Sequence, residues 1–120
     1  MYTGKHVRLR PLQPAFIMAS TGEAVTYREL EAGSNRLAHL FRRQGLQRLD
    51  HFSIFMENNS RYLEACAAGE RSGLYYTCVN SYLTPSELAY ILTNSESRIL
   101  ITSRAKLDVA REAIKAGGGQ

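Results

Sequence analysis

Arg71-Ser72-Gly73-Leu74-Tyr75-Tyr76-Thr77-Cys78-Val79-Asn80, followed by Ser81-Tyr82-Leu83 and Thr84-Pro85-Ser86-Glu87-Leu88, reads as a helix end, a buried strand, a short loop and a capped new helix. Gly73 suits the position just past a helix, because a residue without Cβ enters the left-handed region at little cost. Leu74 to Val79 is apolar and β-branched enough for a strand. Thr84 with Glu87 three positions on makes a capping box, and Pro85 falls at the first helical position, where its missing N–H costs nothing. A strand between two helices is the core of a β-α-β unit, so strands should recur on both sides.

They do. His51-Phe52-Ser53-Ile54-Phe55-Met56 is apolar enough for a buried strand, and Glu57 to Ser60 then turns into a helix carrying Leu63, Ala67 and Ala68, with Asn59 or Ser60 as its cap. Downstream, the helix opened by Thr84 carries Leu88, Ile91 and Leu92 on one face. Arg98 to Thr102 is a third strand, and Ser103 is placed to cap a helix carrying Leu107, Ala110, Ala113 and Ile114. Before the first of these strands, Thr26 and Glu29 repeat the capping box. The helix they open carries Leu30, Leu37, Ala38, Leu40 and Phe41 at helical spacing as core residues and ends at Gly45. Ala15 to Ala19 and Ala24-Val25, with Ser20-Thr21-Gly22-Glu23 between them, predict a small hairpin. Met1 to Pro14, with two prolines and no clear period, predicts an extended arm.

The expected fold is α/β: three layers, a mostly parallel sheet with helices on both faces, and an amino-terminal β-hairpin. Residues 1–14 form an arm, 15–116 the α/β subdomain and 117–120 a glycine-rich tail. A chain of 120 residues buries roughly two-thirds of its unfolded surface, enough for one core. No stretch reaches the roughly 20 apolar residues of a membrane span, and Ala15 to Ala19 is too short for a signal peptide, so the cytoplasm is the expected compartment.

The net charge of +4, from 15 basic and 11 acidic residues, is too mild to imply nucleic acid. Lys5, Arg8 and Arg10, and separately Arg42, Arg43 and Arg48, read as solvated surface, the second group complementing a helix end. Cys66 and Cys78 fit no metal or redox spacing and read as buried reduced thiols. His6, His39 and His51 lack the pairing of metal ligands, so no metal site is expected.

In open parallel sheets ligands bind beyond the carboxyl ends of the strands. Those ends offer Asn58, Asn80 and Thr102 as candidate ligand-side residues, although the same polar residues also serve helix caps and turns. No dinucleotide fingerprint, Walker loop, nucleophile elbow or aspartate cluster is present, and no residue is assigned a catalytic role.

Val25-Thr26-Tyr27-Arg28-Glu29-Leu30, followed by Ser34-Asn35-Arg36-Leu37-Ala38, resembles the first core motif of the adenylate-forming, AMP-binding superfamily. Arg71 to Asn80 resembles its second core motif, and Leu83 to Leu92 continues the match. Met56-Glu57-Asn58-Asn59 is similar to the corresponding segment of fatty acyl-CoA synthetases. The likeness covers about Ala15 to Ile114, in the family's order and spacing, with Cys78 standing where proline is frequent.

The resemblance implies an acyl-CoA synthetase, or long-chain fatty acid–CoA ligase. A carboxylate attacks the α-phosphate of ATP to give an acyl-adenylate, and the CoA thiol displaces AMP. ATP, CoA and Mg would serve the intact enzyme, a fatty acid or other carboxylate would be its substrate, and none of these is expected to bind this chain alone. The resemblance places the phosphate loop, the nucleotide contacts and the catalytic lysine beyond Gln120. The chain is therefore expected to be an inactive amino-terminal portion whose partner is the remainder of the synthetase. The alternative is a non-catalytic interaction or regulatory domain derived from this fold, forming a homo-oligomer through exposed apolar surface.

Overall fold

The computed structural model describes residues 7–19 and 21–117. The expectations for Met1 to His6, for Ser20 in the hairpin turn and for Gly118 to Gln120 fall outside the described residues. The elements are strand β1 (Pro14–Ile17), strand β2 (Ala24–Thr26), helix α1 (Tyr27–Arg43), strand β3 (His51–Phe55), helix α2 (Tyr62–Ser72) and strand β4 (Tyr75–Cys78). Helix α3 (Pro85–Asn94), strand β5 (Ser97–Thr102), a 3-10 turn (Arg104–Lys106) and helix α4 (Leu107–Ala116) complete the chain. They group into two compact units, one running to Arg48 and taking in Asn59–Leu74, the other made of Leu49–Asn58 and the chain from Tyr75 on.

The first unit holds the hairpin and a helix pair. β1 and β2 are antiparallel, with Phe16 opposite Val25, as expected. Thr26 caps α1 through both bonds of the capping box: Glu29 N donates to Thr26 Oγ1 at 3.1 Å and Thr26 N to Glu29 Oε1 at 3.0 Å. α1 buries Leu30, Gly33, Ser34, Ala38 and Phe41. Gly33 faces the Glu64 side chain of α2: a Cβ there would lie 2.5 Å from the Glu64 carboxyl carbon, which would have to turn aside. At the far end of α2, the Arg71 guanidinium donates to Glu31 Oε1 at 2.7 Å and Ser34 Oγ at 2.9 Å on α1. Gly73 closes α2 with φ +70°, in the left-handed region the sequence requires.

The second unit is a three-stranded sheet in the order β4-β3-β5, parallel throughout. β3, central and paired on both sides, is buried from Phe52 to Phe55, as a strand inside a parallel sheet should be, and its one polar residue in that span, Ser53, pairs with the Ser97 hydroxyl at 2.6 Å. Thr84 caps α3 with Glu87, and Pro85 opens the helix. Leu88 is fully buried, in a cluster with Phe55, Val79, Ala110 and Ala113. The chain is α/β, with a parallel sheet, helices and an antiparallel hairpin.

Several local expectations are corrected. Val7 to Leu9 are helical rather than extended, because arginine and leucine are good helix formers and the bias against helix falls only on Arg10, before Pro11. Leu40 and Leu63 point outward, 40% and 41% exposed, and the buried face of α1 is made by Leu30, Ala38 and Phe41 instead. Neither Asn59 nor Ser60 caps α2. Arg61 holds that position without a side-chain cap, and Asn59 Oδ1 accepts the Arg61 N–H at 2.8 Å. Leu74 and Val79 are buried but flank β4 rather than belong to it. Neither cysteine is in a disulfide, and neither is buried as expected: Cys66 is half-buried and Cys78 is exposed, β4 lying at the sheet edge.

Candidate functional site

The carboxyl ends of β3, β4 and β5 lie along one edge of the parallel sheet, the edge at which such sheets take ligands. β3 and β5 run in register to Phe55 opposite Thr102, so the residues just past each strand are neighbours. Thr102 Oγ1 donates to the Phe55 carbonyl at 2.7 Å, and Ser103 Oγ donates to Glu57 Oε2 at 2.5 Å. Ser103 does not cap the following turn through its side chain; its hydroxyl is committed to Glu57 instead. This pair ties the exits of β3 and β5 together.

Of the sequence candidates, Thr102 takes part in this strand-exit arrangement. Asn80 shapes its own loop: its Oδ1 accepts the Tyr82 N–H at 2.9 Å and its carbonyl accepts the Leu83 N–H at 3.3 Å, an Asx turn. Asn58 is exposed to solvent. Sequence reasoning missed the Glu57–Ser103 pair. Each residue was visible as the polar exit of a parallel strand, but only the order β4-β3-β5 makes those two exits adjacent.

The same edge carries Tyr82, 87% exposed, with Lys106 Nζ 5.1 Å from its ring centroid, a cation–π distance. The cavity of about 330 Å³ in this unit lies elsewhere, between α3, α4 and β5, and includes Glu96, Ser97 and Arg98 at the entry of β5. It is not the strand-exit site. Another opening, of about 390 Å³, belongs to the first unit and is lined by Arg28, Arg36, Arg61 and Glu64 among others. Among the described residues, no group of three His, Cys, Asp or Glu side chains could hold a metal ion, and no helix is long and apolar enough to cross a membrane.

Electrostatics mark the caps rather than the strand exits. The carboxyls of Glu29 and Glu87 are held below the usual glutamate value, first by the backbone N–H of Thr26 and Thr84 and then by the hydroxyls of the same residues.

Comparison with known proteins agrees with this architecture. The model of the AMP-binding enzyme family matches residues 5–118. The 3-oxocholest-4-en-26-oate–CoA ligase of Rhodococcus rhodochrous is 37% identical over 91 residues, which are 76% of this chain and 16% of that protein. Human long-chain fatty acid transport protein 1 is 32% identical over 95 residues, 79% of this chain and 15% of that protein. The crystal structure of a benzoate CoA ligase from Burkholderia xenovorans superposes with a TM-score of 0.88 at 25% identity, covering 98% of this chain and 24% of that one. The chain thus spans about a sixth of the length of the curated relatives it matches. With nearly its whole length matched by the family model and its fold shared with a solved CoA ligase, the chain belongs to the AMP-binding enzyme family.

Proposed function

We propose that this chain is the amino-terminal portion of an ATP-dependent acyl-CoA synthetase of the cytoplasm. The intact enzyme would join a carboxylate to AMP with release of pyrophosphate, then transfer the acyl group to the CoA sulfur with release of AMP. The observation that carries this reading is the family match over residues 5–118 together with relatives named as CoA ligases, of which the chain spans about a sixth. A fatty acid or other carboxylate is the substrate class in this reading.

The part played by the residues present is structural. Thr102 and the Glu57–Ser103 pair fix the exits of β3 and β5, so that the loops beyond them form a preorganised wall. Asn58 and Asn80 stand beside that wall as ligand-side candidates. Magnesium belongs to this reading of the intact enzyme, where it would offset phosphate charge.

The test is to incubate the chain, and a polypeptide in which it continues through its downstream reading frame, with ATP, magnesium, CoA and a panel of aliphatic and aromatic carboxylates. CoA esters are detected by mass. The longer polypeptide forms an ester with at least one carboxylate and the 120-residue chain forms none. Ester formation by the chain alone would refute its inactivity, and no ester from the longer polypeptide with any carboxylate would refute the ligase reading.

A further inference from the structure

We draw no further inference here: the strongest candidate, the cavity of about 330 Å³ between α3, α4 and β5 that Leu92, Ser97, Arg98 and Ile114 help to line, carries nothing, because nothing in the structure shows what fills or covers it.

Discussion

In the unit built from the hairpin, α1 and α2, the helices meet through a polar contact. Arg71 reaches across to Glu31 and Ser34, beside small buried residues that include Gly33 and Ala38 of α1 and Ala65 and Ala68 of α2. In the unit built from the parallel sheet, α3 and α4, the same task falls to Phe55, Val79, Leu88, Ala110 and Ala113, with no charge among them. The difference teaches where each unit is fragile. An apolar cluster loses stability in proportion to the volume removed. A half-buried ion pair is weak evidence of net stability, but losing one member strands the other.

Leu88→Ala tests the apolar side of this contrast and carries the largest expected effect, about 3 kcal/mol. Denaturant unfolding reads it, and hydrogen exchange should quicken first in β3, β4 and α3. Arg71→Ala should cost about 2 kcal/mol, because Glu31 and Ser34 lose their donor in a setting with limited water. Here exchange should quicken in α1 and α2. If the two variants loosened the same amides, the contrast between the units would fail. Arg71→Lys sharpens the point: all the bonds to Glu31 and Ser34 leave the single nitrogen Nη1, and the shorter lysine side chain brings its ammonium short of that place, so rescue should be incomplete.

Thr84→Ala should cost about 1 kcal/mol through loss of the α3 cap, and an unchanged unfolding midpoint would mean that the capping box does not hold α3. The smallest effect is common to both units. Glu29 and Glu87 have folded-state values below the usual 4.5, so each binds its proton less readily folded than unfolded. Their stabilisation is complete above that value and is lost as pH falls through the lowered folded values. Helicity followed from neutral pH to below pH 4 should therefore decline less steeply in a Glu29→Gln, Glu87→Gln variant than in the parent. An identical acid profile would contradict the cap assignment.

What was legible in the sequence was what local chemistry specifies. Thr26 with Glu29, Thr84-Pro85 with Glu87, and Gly73 each need only neighbours within a few residues, and each stands where its pattern requires. β3 was legible because Phe52, Ile54, Phe55 and Met56 cluster around the single Ser53, dense enough in apolar residues for a strand covered on both faces. Arg71–Glu31, separated by 40 positions, and Ser103–Glu57, separated by 46, left no local trace, because partners that distant are set by helix packing and strand order. Leu40 and Leu63 misled for a related reason: helical periodicity gives a stripe but not its width, and α1 buries Leu30, Ala38 and Phe41 while Leu40 falls outside that face. Cys78 was misread because nothing in its neighbourhood marks β4 as an edge strand. The candidate site followed the same rule. Its location at the strand exits came from a general property of parallel sheets, while its internal pairing depended on the order β4-β3-β5.

The account rests on this chain being scaffold rather than catalyst, and carboxylate-dependent release of pyrophosphate from ATP tests that most directly. The account predicts release by a polypeptide that continues the chain through its downstream reading frame, and none above background by the 120 residues alone. Carboxylate-dependent release by the chain alone, abolished by changes at Glu57 or Ser103, would contradict it by placing the chemistry at the strand exits themselves.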